Sequence, residues 1–382
     1  MIIQGLSREK IELHNLSSAR DTQTMIRLLE SEGHVLDVID AGTTMRFLTA
    51  FFAATGRDQI LTGTPRMCKR PIGILVEALR SLGANIQYWK QEGYPPLHLQ
   101  SSGQPLNGTE LDMQGNVSSQ FISAILMIAP TLPEGLKLNL IGDISSRPYI
   151  DLTRSIMAHF GVKTHWEGQS IIVAAQAYQA GAYTIESDWS AASYWYSVAA
   201  LSNQANIHLQ GLRATSWQGD HQVAQIMRHF GVASTFDSTG VRLTRTDWQP
   251  SEEVLEIDFV ETPDLAQTIA VVSAGLGQPV KMTGLHTLRV KETDRIAAIK
   301  EELAKFAVEV EVEGDEAMII RGKVNDAKPT IHTYEDHRMA MAFAPLVLTQ
   351  GKLDLDEPEV VKKSYPEFWE HLALAGVQAQ EW

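Results

Sequence analysis

The sequence predicts a mixed α/β (α+β) fold of two similar domains with a ligand-binding cleft between them. Three observations carry this reading. First, one local pattern recurs six times: an amphipathic helix, a small residue, then a short strand. Its markers are Gly33, Gly83, Gly161, Gly231, Ala307 and Gly376, spaced by 50, 78, 70, 76 and 69 positions. Second, apolar residues within these helices recur at i, i+3 and i+4, the period of one buried helix face. The strings Ile156-Met-Ala-His-Phe-Gly161 and Ile226-Met-Arg-His-Phe-Gly231 are nearly the same. Third, the residues after the marker alternate, as in Val308-Glu-Val-Glu-Val-Glu313, the pattern of a half-buried strand. A glycine just past a helix accepts the left-handed backbone that ends it. The period is too long for a simple solenoid, so each copy reads as a small multi-element module. A cut near residue 185, after a run of Ala, Gln, Gly and Tyr, leaves three markers on each side. The expected domains are 1–185 and 186–382, and interdomain clefts are favoured sites for small ligands.

Composition narrows the function. The chain has 382 residues, is 44% hydrophobic and 20% charged, and carries a net charge of −14. That acidity lacks the field needed to neutralise a nucleic acid. Small anions still bind where a few Arg and Lys converge. The single cysteine, Cys68, allows no intrachain disulfide. The twelve histidines show no His-x-x-x-His or His/Cys spacing, so no metal is expected. No Gly-x-Gly-x-x-Gly or Walker string is present, so no nucleotide cofactor is indicated. No apolar run reaches the ~20 residues of a membrane span. A cytoplasmic protein with no membrane or nucleic-acid partner is the expectation.

Five segments carry chemistry, taken in chain order. Asp40-Ala-Gly42-Thr43-Thr-Met-Arg46 is a small-residue turn opening an apolar helix. It offers free backbone N–H groups to an anion, although Thr43 equally suits an N-cap. Gly63-Thr-Pro-Arg66-Met-Cys68-Lys69-Arg70-Pro71 sets three cations within five residues between prolines. Arg grips phosphate or carboxylate with two parallel bonds; a solvated turn is the plainer reading. Asn116-Val-Ser118-Ser119-Gln120-Phe121 enters an apolar run, and Ser145-Ser146-Arg147-Pro-Tyr149 adds hydroxyls, a cation and a phenol. Three polar side chains in a row exceed what a helix cap needs and suit a phosphorylated polyol. Arg289-Val-Lys291-Glu292-Thr-Asp294-Arg295 holds five charges in seven residues, a solvated helix start or a Lys/Glu pair for proton transfer. Tyr334-Glu-Asp336-His337-Arg338-Met-Ala340 runs directly into a helix of small residues and Met. Asp264 opens another apolar helix as N-cap or general base, and Lys362-Lys363 adds charge late in the chain. Cations from both halves plus one or two carboxylates suit two anionic substrates.

At these residues the chain resembles the 5-enolpyruvylshikimate-3-phosphate synthase family. The resemblance covers nearly the whole sequence and is carried by Ala41-Gly-Thr-Thr-Met-Arg46, Gly63-Thr-Pro-Arg-Met67, Arg289-Val-Lys-Glu-Thr-Asp-Arg295 and Asp336-His-Arg-Met-Ala340. It implies two domains of three βαβαββ repeats each. It also implies transfer of the enolpyruvyl group of phosphoenolpyruvate to the 5-hydroxyl of shikimate 3-phosphate, with release of phosphate. By this resemblance Ser118, Ser119, Gln120, Ser146 and Tyr149 hold shikimate 3-phosphate on the first domain's side. Gly42, Arg66, Gln120, Arg295, Arg338 and Lys363 grip phosphoenolpyruvate. Asp264 accepts the hydroxyl proton, Glu292 protonates the enol carbon, and Lys291 binds and polarises the acceptor. No cofactor or metal is implied, and the expected working form is a monomer. The sister family acting on UDP-N-acetylglucosamine carries a Cys that would fall at Pro65, three positions from Cys68.

The family's N-terminal Lys-Ser-x-Ser-Asn-Arg motif is not among the 382 residues. The uncapped start at Ile2-Ile3 fits a chain lacking about 25–30 family residues, including a strand of the second domain. Impaired catalysis by the chain as written, or a non-catalytic remnant, is the expectation that follows. Thr287 stands where many members have Asn.

Overall fold

A computed structural model describes residues 1–380; the last two residues of the second expected domain lie outside the described residues. The chain forms two compact units, Met1–Ile185 and Glu186–Trp382. Each closes its own core, with Leu28, Phe52 and Ile122 fully buried in the first and Trp189, Phe230 and Phe343 in the second. Burying one such side chain is worth about 1.5–3 kcal/mol.

One sheet topology recurs. Val35–Asp37 pairs parallel with Gln59–Thr62, which pairs antiparallel with Leu97–Gln100, which pairs antiparallel with Asn85–Tyr88. The same order is built by Glu110–Gln114, Leu136–Ile141, Ser170–Val173 and Thr164–Glu167. In the second unit it is built by Leu255–Asp258, Val280–Thr283, Ala317–Arg321 and Glu309–Glu313. A three-stranded sheet of Asn206–Gln210, Gly240–Arg245 and Val232–Phe236 keeps its antiparallel part. Two-stranded parallel pairs, Ile11–His14 with Gly181–Thr184 and Thr330–Ile331 with Asp354–Leu355, keep the parallel part.

A parallel pair needs a crossover, and here the crossover is a helix. The crossover helices Gly42–Thr55, Ser119–Ile128, Ala266–Leu276 and His337–Phe343 are apolar nearly all round, as befits helices enclosed on every side. Ten of the eleven residues from Ala266 to Leu276 are buried. Each starts just past the carboxyl end of a strand, where its first N–H groups have no partner within the helix. This is the position at which α/β sheets receive ligands.

The repeat markers take the predicted backbone. Gly83, Gly161, Gly231 and Gly376 have φ of 98°, 85°, 78° and 90°, and Ala307 shares the left-handed conformation at φ 59°. Gly33 does not, because its helix ends at Glu30 with an extended cap at Ser31. Among the described residues no helix is long and apolar enough to cross a membrane.

Candidate active site

In the first unit three helix starts come together. Gln120, in the first turn of Ser119–Ile128, donates to Thr43 Oγ1 in the first turn of Gly42–Thr55 over 2.9 Å. One turn further along, Ser123 and Thr153 hydroxyls meet at 2.7 Å and tie Ser119–Ile128 to Arg147–His159. These bonds tie the N-terminal halves of the three helices together, and each helix start carries unpartnered N–H groups and a positive dipole end. Thr43 is not the N-cap; Ala41 takes that position and Thr43 is spent on Gln120. Ser118 takes the N-cap position without a side-chain cap bond, and so does Ser146. The capping reading thus fails for Ser118. Ser119 and Ser146 are buried at 8% and 7% exposure. Tyr149 begins its helix with an N–H donated to the Ser146 carbonyl. Arg147 turns instead to the Trp166 ring, 4.3 Å from its centroid.

Gly42 is packed by two guanidiniums. A Cβ built there would lie 2.7 Å from Arg70 Nη1 and 2.8 Å from Arg46 Nη1. Arg46 is 6% exposed and donates to the Gly42 carbonyl over 2.8 Å, its guanidinium over the Phe121 ring. Arg66 lies exposed on the same basic loop as Arg70. Sequence reasoning singled out Arg66 and passed over Arg46 and Arg70 as ligand groups; the signal was their place in the same two motifs.

In the second unit the charges converge on Asp264. Its Oδ1 is 2.9 Å from Arg295 Nη1 and 3.6 Å from Lys291 Nζ; its Oδ2 is 3.1 Å from Arg338 Nη2. Arg295 also meets Glu292 at 3.1 Å and Asp336 at 2.8 Å. Asp336 is fully buried and accepts from the Arg338 backbone N–H over 2.9 Å, capping the His337–Phe343 helix. Asp336 thus both caps this helix and anchors Arg295. The Arg338 guanidinium also approaches Tyr194 Oη at 3.4 Å and Ser190 Oγ at 3.5 Å, and Ser190 donates a very short bond to buried Asp220. Asp264 is no helix cap, and its carboxylate is spent on cations. Lys363 is buried at 3% exposure and bears electrostatically on His337.

The electrostatics follow. Burial opposes the Asp264 charge, but Arg338, Lys291 and Arg295 outweigh it and hold the carboxyl well below the usual carboxylate range. Burial likewise opposes Arg295, and Asp336, Glu292 and Asp264 more than offset it. Burial pushes His337 down to about 4 and Tyr194 up to about 12, so both are neutral at pH 7.

Backbone strain gathers at these starts. Ile39 (φ 59°) precedes Gly42 by three residues, Ser146 (φ 54°) precedes its helix, and Tyr334 and Glu335 (φ 57° and 56°) lead into Asp336. A left-handed non-glycine residue costs about 1–2 kcal/mol, and such outliers cluster where a site needs exact placement.

The repeated strand–helix–strand modules define a class of mixed α/β protein, and solved structures share that fold. An EPSP synthase from Acinetobacter baumannii superposes with a TM-score of 0.78 at 21% identity, covering 99% of this chain and 94% of that one. The enolpyruvyl transferase NikO from Streptomyces tendae superposes at 0.71 and 11% identity, covering 98% and 91%. The sequence profile of EPSP synthase (3-phosphoshikimate 1-carboxyvinyltransferase) matches residues 1–372, and the chain belongs to that family. A 3-phosphoshikimate 1-carboxyvinyltransferase of Bacteroides fragilis (strain YCH46) is 49% identical over 379 residues, 98% of this chain and 92% of that protein. One from Shigella flexneri serotype 5b is 38% identical over 352 residues, 90% and 80%.

Proposed function

We propose that this chain transfers the enolpyruvyl group of phosphoenolpyruvate to the 5-hydroxyl of shikimate 3-phosphate, releasing phosphate. The observation that carries the reading is the Asp264 carboxylate held among Arg295, Arg338 and Lys291 with Glu292 beside it, in a chain of this family. The first unit supplies Ser118, Ser119, Gln120, Ser146 and Tyr149 to shikimate 3-phosphate. Phosphoenolpyruvate draws on Gly42, Arg66 and Gln120 of the first unit and on Arg295, Arg338 and Lys363 of the second. The working form is a cytoplasmic monomer, and its partners are these two small anions.

In the reaction the hydroxyl oxygen forms a bond to C2 of the enol, and the C2–O bond to phosphate breaks. Glu292 delivers a proton to C3, and positive charge builds at C2 as the hydroxyl attacks. Asp264 takes the hydroxyl proton, assisted by Lys291. As phosphate leaves and the double bond re-forms, the C3 proton returns to Glu292, and the hydroxyl proton held by Asp264 leaves with phosphate. Each positioned acid or base contributes roughly 10²–10⁴-fold. The arginines offset the mutual repulsion of two polyanions, and holding both in one geometry removes the entropic cost of their meeting.

Without ligand, Asp264 is a weak base because three cations hold its charge. Anions arriving on Arg338 and Arg295 compete for those cations and return basicity to Asp264. The base is thus switched on by the substrates it serves. The test is steady-state phosphate release by Asp264→Asn and Glu292→Gln. Both lower kcat by roughly 10²-fold or more with little change in KM, the mark of a group acting in the transition state. A rise in KM at unchanged kcat would reassign them to ground-state binding.

A further inference from the structure

The geometry points to a surface site for a divalent transition-metal ion, of the zinc type, made by His34, Asp58 and His98 in the first unit. Among the described residues these form the one group of three His, Cys, Asp or Glu side chains whose ligand atoms all lie within 4.8 Å of one another. His98 Nε2 is 3.0 Å from Asp58 Oδ1, and His34 Nδ1 is 3.6 Å from the same oxygen. The two rings stand edge to face, with centroids 5.6 Å apart.

The sheet brings them together. His34 directly precedes the strand Val35–Asp37, and its carbonyl accepts from the Ile60 N–H over 2.8 Å. Asp58 directly precedes the strand Gln59–Thr62, which lies next in the sheet. His98 sits in Leu97–Gln100, the strand after that, opposite Ile60. Strand side chains alternate, so His98, Ile60 and Asp58 two residues before it face the same way. That face is the outer one, since Leu61, Leu97 and Leu99 fill the core side. The ladder on both sides of Gln59–Thr62 therefore fixes the three backbones before any ion arrives.

The chemistry selects the ion. Two imidazoles and one carboxylate suit zinc and its first-row neighbours, whereas magnesium and calcium prefer all-oxygen sets. Ligand bonds of about 2.0–2.2 Å in a tetrahedron put neighbouring ligand atoms roughly 3.3 Å apart. The two separations at Asp58 straddle that value. The side chains of His34 and Asp58 are 55% and 50% exposed and that of His98 is 19% exposed, so solvent completes the coordination. The bound ion would clip three adjacent strands. Neither histidine nor Asp58 belongs to the anion-binding set, so the site is independent of the proposed reaction. Two-residue pairs elsewhere, His332 with Asp356 and His208 with Asp237, lack a third ligand in that group.

The experiment is calorimetric titration of the whole, metal-stripped protein with Zn2+, repeated with Co2+ to read its visible ligand-field spectrum. The expected result is a single ion per chain, with a nitrogen-bearing low-symmetry Co2+ spectrum and a Tm that rises with Zn2+. His98→Ala and Asp58→Asn each weaken binding at least tenfold, as losing a direct ligand costs no less than losing a supporting group. His34→Ala, at the most exposed of the three positions, decides the matter if His98→Ala fails to fold. His332→Ala and Cys68→Ser leave binding unchanged. No binding at millimolar Zn2+, binding indifferent to His34→Ala and Asp58→Asn, or binding abolished by His332→Ala or Cys68→Ser would overturn the assignment.

Discussion

Arg338 reaches back from the first turn of its helix to place Nη2 3.1 Å from Asp264 Oδ2. This pair joins a cation proposed to bind phosphoenolpyruvate to the proposed base, and it makes the state of one depend on the other. Removing the cation by Arg338→Ala should raise the Asp264 pKa toward the ordinary carboxylate range, because the largest of its charge partners is gone. A ¹³C-detected carboxyl titration of the ligand-free protein reads this directly. The same variant should raise KM for phosphoenolpyruvate about tenfold or more, since a charged bond to an anion is among the stronger polar contacts. An Asp264 titration that stays in place would break the link.

Gly42→Ala should push apart Arg70 and Arg46, whose Nη1 atoms would stand 2.7 and 2.8 Å from the new Cβ. Misplacement of catalytic or binding groups by even 1 Å costs up to roughly 10²-fold. The expected outcome is a KM for phosphoenolpyruvate raised several-fold or more, because the added methyl at buried Gly42 displaces both guanidiniums. Binding measured by quenching of intrinsic fluorescence checks it.

Ala307→Gly should stabilise the second unit. Ala307 holds φ 59° at the position where four other repeats place glycine. Relief of about 1–2 kcal/mol of left-handed strain exceeds the added chain entropy of glycine, about 0.4–1 kcal/mol. Urea unfolding should show a gain of about 0.5–1 kcal/mol from the difference.

Stability should fall as the solution is acidified from about pH 6.5 to pH 4. Burial holds His337 at about 4, while in the unfolded chain it titrates near 6.5. Within that window the unfolded chain binds a proton that the folded one refuses, so stability rises with pH. The full difference amounts to roughly 3–3.5 kcal/mol. His337→Gln should flatten the slope in a series of urea titrations across that range.

Much of the fold was legible because its signals are local. The expected helix, left-handed residue and strand are all present at Gly83, Gly161, Gly231 and Ala307, whereas Gly33 is not left-handed and no strand follows Gly376 among the described residues. The sheet order was not legible, since the pairing of Gln59–Thr62 with Leu97–Gln100 spans distant sequence. The site divided along the same line. Glu292, Lys291, Arg295 and Arg338 stand in dense polar motifs and converge with Asp264, which opens an apolar helix. Asp336, Tyr194, Ser190 and Asp220 support them from separate segments, and no single motif announces those contacts. Arg46 and Arg70 lay in motifs already singled out, but only folding shows both packed on Gly42. His34, Asp58 and His98 have no metal spacing in sequence; register alone brings them together.

In the proposed reaction this chain moves an enolpyruvyl group between two anions using the Asp264–Glu292–arginine cluster. The most direct test is ³¹P NMR of the protein, purified from its natural gene, with phosphoenolpyruvate and shikimate 3-phosphate together and with each alone. The expected result is inorganic phosphate and one new phosphomonoester in equal amounts, only when both substrates are present, and neither product with Glu292→Gln on the same timescale. Phosphate released from phosphoenolpyruvate alone, or no new phosphomonoester from the unaltered protein with both substrates, would contradict the proposed reaction.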